Sequence, residues 1–299
     1  MSSLDILIQA PIFNLQLIIE GVLLGAIFAL AAYGMALVWG VMNIINIALG
    51  EFVMLGGFVA VYFYQAGIHP LYAVPVAAIA LYLLGWGLYR LVIFRVVGRD
   101  LFISLLATFG LSILLQQMMN QVFGANVRTA DAGMDTSYLF GGQITVADVK
   151  ILACLIAIAV GVGLAWFMKS SRLGQAIRAT AQNPRAARVL GIDTDRVYAQ
   201  TFALSAAVCG AAGALVAMAY TVQPYIGLPY TVRSFMIVVI AGVGNLGAVI
   251  VAGVVLGVLE LYAGFILGTQ YQLAFVFGLL VVVLVWRSQR LARKRQTLE

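Results

Sequence analysis

KSSRLGQAIRATAQNPRAARVLGIDTDR, residues 169–196, is a charged island in a chain whose other long segments read as soluble in lipid. It carries six of the 17 Lys and Arg residues, with long apolar runs on both sides. A basic loop with helical content, set between hydrophobic bundles, reads as a cytoplasmic docking surface for a soluble partner. The chain is therefore expected to be a membrane protein whose work is driven by another subunit.

Working outward, composition agrees. Hydrophobic residues make up 64% of the 299 and charged residues 9%, and mean hydropathy is +1.06. Soluble domains need about a quarter charged residues to solvate their surface, so most of this surface must face lipid. At about 20 residues per span, the length allows roughly eight to ten helices. A net charge of +6 would suggest nucleic acid in a soluble protein, but here the basic residues sit at span ends. No nucleic-acid partner is expected; the bilayer is. Cys154 and Cys209 lie inside apolar stretches and read as packing residues. His69 stands alone before Pro70, so no metal site is expected. The first basic residue is Arg90, so the N-terminus lacks the positive segment of a cleavable signal.

Apolar runs bounded by polar or turn residues give nine candidate spans. They cover 15–41, 44–64, 70–94, 101–123, 148–168, 197–222, 231–241, 248–268 and 271–287. The positive-inside rule orients them. Arg90, Arg95 and Arg99, the 169–196 loop, and the tail residues Arg287, Arg290, Arg293, Lys294 and Arg295 all fall on one side. Arg128, Lys150 and Arg233 are the exceptions. The N-terminus then lies outside, loop 124–147 is external, 169–196 is the cytoplasmic coupling loop, and 288–299 is a basic cytoplasmic tail. Whether 44–64 crosses fully or dips in and returns stays open. The expected fold is all-α, a polytopic bundle of about eight or nine spans. Glycines at close spacing (Gly21/Gly25, Gly56/Gly57, Gly161/Gly163, Gly210/Gly213, Gly253/Gly257) suit the tight packing of helices in lipid.

Inside the loop, Asn183-Pro184 is a good helix start: Asn caps free amides, and Pro suits the first helical position. Arg185-Ala186-Ala187-Arg188-Val189-Leu190 follows as a short helix ended by Gly191, a natural residue for the turn beyond. Arg185 and Arg188 share a polar face, and Val189 and Leu190 form an apolar patch. Docking to a protein and contact with anionic lipid both fit that pattern.

Ser171-Arg172-Leu173-Gly174-Gln175-Ala176-Ile177-Arg178-Ala179, followed by Ala186-Ala187-Arg188-Val189-Leu190-Gly191-Ile192, resembles the cytoplasmic loop of branched-chain amino acid ABC importer permeases. Asn43-Ile44-Ile45-Asn46-Ile47-Ala48-Leu49-Gly50-Glu51-Phe52 is similar to that family's Asn-x-Ala-x-Gly-Glu segment. Ala241-Gly242-Val243-Gly244-Asn245-Leu246-Gly247-Ala248 is similar to its late glycine-rich stretch. The likeness spans nearly the whole chain, read as one permease domain over 1–299. It implies an ABC importer architecture in a bacterial inner membrane. The partners implied are two ATP-binding subunits, a second permease (identical or different) and a periplasmic solute-binding protein. Asn183, Pro184, Arg185, Ala186, Ala187, Arg188 and Gly191 would contact the ATPase. Many relatives carry an acidic residue before Ala-Ala, where this chain has Arg185. ATP and Mg would be bound by the partners, with no cofactor on this chain.

Candidates for the translocation pathway or its gate are Asn43, Asn46, Gly50, Glu51, Gly244, Asn245 and Glu260. Polar groups at membrane depth need partners. Glu51 either fixes a kink beside Gly50 or lines the pathway. Glu260, near the middle of its span with Tyr262 close by, is either a functional carboxylate or a protonated acid bonded to a neighbouring helix. The 242–247 run is either a broken-helix site or a hinge near the cytoplasmic face. Gln116, Gln117, Asn120 and Gln121 cluster at the outer end of the fourth span and are expected to mark the interface and vestibule.

No GxxxxGK[ST] phosphate loop is present, and none of the three lysines follows a glycine. With one His, Ser–His catalysis has no basis, so the chain is not expected to be an enzyme. Beside the importer stand two alternatives. One is a proton-coupled carrier using Glu51 or Glu260, and the other is a passive channel for a small solute such as urea or an amide. The docking helix favours the importer.

Overall fold

The computed structural model describes residues 11–139, 143–242 and 244–296. Its helices are α1 (Pro11–Met42), α2 (Leu49–Gln65), α3 (Ala73–Leu91), α4 (Leu101–Phe123), α5 (Asp148–Ser170) and α6 (Arg172–Gln182). Then come α7 (Pro184–Val189), α8 (Thr194–Ala219), α9 (Gly227–Ala241), α10 (Leu246–Leu267) and α11 (Gln272–Gln296). A hairpin, β1 (Thr136–Leu139) and β2 (Ile144–Ala147), precedes α5 and is the departure from an all-α chain. Its strands are antiparallel, with Thr136 opposite Ala147 and Leu139 opposite Ile144. Among the described residues, eight helices are long and apolar enough to cross a membrane, and α2 is a shorter apolar ninth. The protein is a multi-pass helical membrane protein.

The long helices end where the chain offers breakers. Gly124, Gly242 and Gly268 take positive φ just past α4, α9 and α10, which glycine does without steric cost. Asn245 then opens α10, its side chain accepting from the Ala248 amide at 3.2 Å. The span expected at 231–241 is longer than its sequence limits: with the turn at Pro224–Ile226 it runs Pro224–Ala241. Tyr230 and Thr231 are buried against protein, and the Pro224, Gly227 and Pro229 that read as an external turn lie within the span.

Helices α1 and α8 are the buried core: α5, α9 and α10 pack on α1, and α2 and α3 on α8, while α4 lies against α2 and α11 against α9 and α10. Glycines set the spacing. A methyl added at Gly25 would lie 2.6 Å from the Val254 Cα, and one at Gly56 2.6 Å from the Gly210 Cα. Backbones this close gain van der Waals contact that lipid cannot offer in exchange, so a side chain at Gly56 would force α2 off α8. Gly163 belongs to no such contact, since a Cβ there meets open space. Cys154 and Cys209 are free and buried.

Span 44–64 is corrected at its start. Helix α1 stops at Met42, Asn43 follows at φ 53°, and helix resumes only at Leu49. The irregular residues between are satisfied by remote hydroxyls. Thr108 donates to the Ile45 carbonyl at 3.1 Å and Thr231 to that of Ile47 at 2.9 Å. Thr231 also accepts from the Gly50 amide at 2.8 Å, and the Asn46 side chain accepts from the Ala48 amide at 3.1 Å. Non-helical backbone inside a membrane bundle is tolerated only with such partners.

Two faces result. The hairpin face holds β1–β2, a bridge between Arg128 and Val222, and the Ala130 amide donating to the Ala217 carbonyl at 2.9 Å. The basic face gathers α6 and α7, the end of α1, and the break between α9 and α10.

Candidate functional site

On the basic face, local chemistry builds a protruding helix. Asn183 accepts from the amides of Arg185 and Ala186, each at 3.1 Å, and Pro184 takes the first turn. At the far end Gly191 sits at φ 83°, letting the Ile192 amide return to the Ala187 carbonyl at 3.0 Å. Ala187 is buried beneath the helix, while Val189 and Leu190 are 88% and 79% exposed. Both stand at the helix tip beside Arg185, and no hydrogen bond or ring contact among the described residues engages them.

Arg188 does something other than expected from its spacing to Arg185. Its Nε donates to the Thr194 Oγ1 at 2.5 Å, and its Nη2 lies 3.5 Å from the Asp195 carboxylate. It folds back to brace α7 against the start of α8. Beside it a cavity of about 680 Å³ is lined by Asn43, Thr180, Arg185, Arg188 and Tyr198, among others. A neighbouring one of about 530 Å³ includes Lys169, Arg178, Gln182 and Gly244. The glycine-rich break thus lies at the basic face, where Gly244 and α6 line the same cavity.

Asn46, Gly50 and Glu51 are packed inside the bundle. Glu51 is 1% exposed, and one oxygen accepts from Ser112 at 3.1 Å. Its carboxylate rests against Gly227, where a Cβ would come within 2.6 Å. Gly50 faces the same backbone. The other Glu51 oxygen and the Asn46 amide nitrogen have no hydrogen-bond partner among the described residues.

Toward the hairpin face lies a second charged site, and sequence reading had found half of it. Glu260, 2% exposed, accepts from Arg233: the Nε approaches its two oxygens at 2.9 and 3.0 Å. The guanidinium carbon stands 4.9 Å from the Phe28 ring centre and 5.7 Å from that of Tyr230. The protonated-acid reading of Glu260 therefore gives way to an ion pair, because an arginine stays charged in any protein setting. Tyr262 is no partner; its hydroxyl meets Asn14. Arg233 had been set aside as a basic residue off the orientation pattern. Its signal was its position inside a candidate span, where an ionisable group calls for a partner. Lys150, another off-pattern residue, pairs with Glu20 at 2.6 Å and ties α5 to α1.

A polytopic helical membrane permease is the class of protein that this bundle and its two faces define. The family model described as branched-chain amino acid transport system permease component matches residues 17–284. The chain belongs to that family. It is 29% identical to the high-affinity branched-chain amino acid transport system permease protein BraD of Pseudomonas aeruginosa, covering 91% of this chain and 94% of that protein. It is 30% identical to LivH, described in the same words, of Escherichia coli K12, over 92% and 94%. LivM of Salmonella typhimurium is 33% identical over 54% of this chain and 39% of its own length. No solved structure gives a significant match.

Proposed function

We propose that this chain is the translocation subunit of an ATP-binding-cassette importer in a bacterial inner membrane. It would carry branched-chain or other apolar amino acids, or a related small polar solute, into the cell. The observation that carries this reading is α7: a capped helix on the basic face with Val189 and Leu190 exposed beside Arg185. An apolar tip on a rigid helix serves docking, and a passive pore has no use for it. The relatives, permease components of amino acid transport systems, support the solute class.

In this mechanism the basic face lies in the cytoplasm, as the positive-inside rule directs. Two partner subunits bind ATP and Mg and hydrolyse ATP, and one of them grips α7. This chain supplies no catalysis. Asn183, Pro184 and Gly191 shape α7, and Arg185, Ala186, Val189 and Leu190 present its surface. Arg188, through Thr194 and Asp195, anchors it to α8 with Ala187 buried beneath it, so a pull on α7 would be passed to the bundle core. A second permease, identical or different, completes the pathway, and a periplasmic binding protein delivers solute to the hairpin face. Gly244 and Asn245, at the break beside α6, are placed to act as a hinge when that face opens. Asn43 lines the cavity next to α7, while Asn46, Gly50 and Glu51 serve as the buried joint of α2 with α9.

The test is purification of the tagged chain from its native membranes in mild detergent, with mass spectrometry of what accompanies it. Recovery of ATP-binding subunits, lost with Val189→Asp/Leu190→Asp, is the expected result. A chain that emerges alone and transports in liposomes without ATP overturns the reading.

A further inference from the structure

Toward the hairpin face is a cavity of about 360 Å³ lined by Tyr220, Thr221, Gln272 and both members of the Arg233–Glu260 pair. Glu260 lies seven residues before the end of α10, about 10 Å below that end by helical rise. The volume falls within the range of small-molecule sites. We propose that this cavity receives the solute: an apolar amino acid bound as its zwitterion, carboxylate on Arg233 and ammonium on Glu260. The inference rests on the permease reading above and gives it a recognition site.

Three observations point to a ligand. Arg233 directs its Nε and Nη2 to Glu260, but its Nη1 has no acceptor among the described residues. A guanidinium carries five N–H donors in a planar fork, so one edge remains ready for a carboxylate. The hydroxyls of Tyr220 and Tyr230, which line the same cavity, also make no hydrogen bond to the described residues. Finally, Glu260 accepts from Arg233 alone among the described residues, so its two oxygens keep lone pairs for an ammonium group.

Leu24, Ile226 and Leu261 complete the wall and suit an aliphatic side chain. An ion pair serving only to brace the bundle would need neither cavity nor spare donors. As a brace it would also be poor, because apolar residues of similar volume often stabilise as well as a buried pair. An entering zwitterion replaces each half of the pair with its own opposite charge, so neither charge is left bare.

The experiment is uptake of radiolabelled leucine by the full transporter, reconstituted with its ATP-binding subunits and solute-binding protein. Glu260→Gln keeps the side chain's shape and removes its charge. Uptake at subsaturating leucine is expected to fall about ten-fold or more, the loss of one charge-assisted hydrogen bond, while ATP hydrolysis stimulated by the binding protein persists. Ile226→Trp fills the cavity from its rim, leaves the pair intact, and should block uptake likewise. Wild-type uptake by either assembled variant overturns the pocket. If Glu260→Gln fails to assemble, Ile226→Trp decides alone. Absence of ATP-dependent uptake in the wild type would instead overturn the permease reading.

Discussion

Helix α7 and the Arg233–Glu260 pair are the two charged regions to which this chain's function is assigned, and they are built in opposite ways. The first is made from neighbours in sequence: an Asn cap, a Pro, an Ala under the helix and a Gly past its end. It stands exposed and depends little on the bundle. The second joins residues 27 apart on α9 and α10, and it exists only because the bundle packs them together. One surface can be altered without harm to the fold, whereas in the other, loss of the arginine alone leaves a bare charge inside the bundle. In the proposed importer the first would be the handle that a partner grips and the second the interior site that receives the solute.

The sharpest break in this comparison is Arg233→Leu. It leaves Glu260 buried without its partner, at a cost of about 3–5 kcal/mol, seen as a large drop in thermal unfolding temperature in detergent. The double variant Arg233→Leu/Glu260→Leu should recover most of that stability, since no bare charge remains. Next is Val189→Asp/Leu190→Asp, expected to lower ATP-driven uptake about ten-fold or more, as loss of an interface anchor does, with unfolding unchanged. Asn183→Ala should cost α7 about 1 kcal/mol, read as faster hydrogen exchange at the Arg185 and Ala186 amides and nowhere in the core. The smallest effect is Asp195→Asn. Its ion pair with Arg188 has side chains 60% and 53% exposed, and such pairs contribute about 0–1 kcal/mol. Only exchange at the α7–α8 joint should move.

The same contrast explains what could be read from sequence. Long apolar runs announce themselves, and the Asn183-Pro184 start and Gly191 stop of α7 are local signals. Arg188 was legible as part of that helix, but its turn toward Thr194 was not, because helical spacing alone does not say which way a side chain folds. An interruption after residue 41 was legible but its extent through residue 48 was not: its carbonyls are satisfied by Thr108 and Thr231, some 60 and 180 residues away. Pairing of Glu260 with Arg233 escaped for the same reason, since it crosses the Gly242–Gly247 break. The residues were both in view inside candidate spans, and the rule that buried charges pair would have joined them.

The central claim, that α7 is where an ATP-binding subunit grips this chain, is tested most directly by cross-linking. Cys154 and Cys209 are buried, so a cysteine placed at Leu190 is the accessible thiol of α7, and one at Tyr138 reports on the hairpin face. With a short bifunctional reagent in native membranes, Leu190→Cys is predicted to join to an ATP-binding subunit and Tyr138→Cys is not. Cross-linking to that subunit from Tyr138→Cys, with none from Leu190→Cys, would contradict the account.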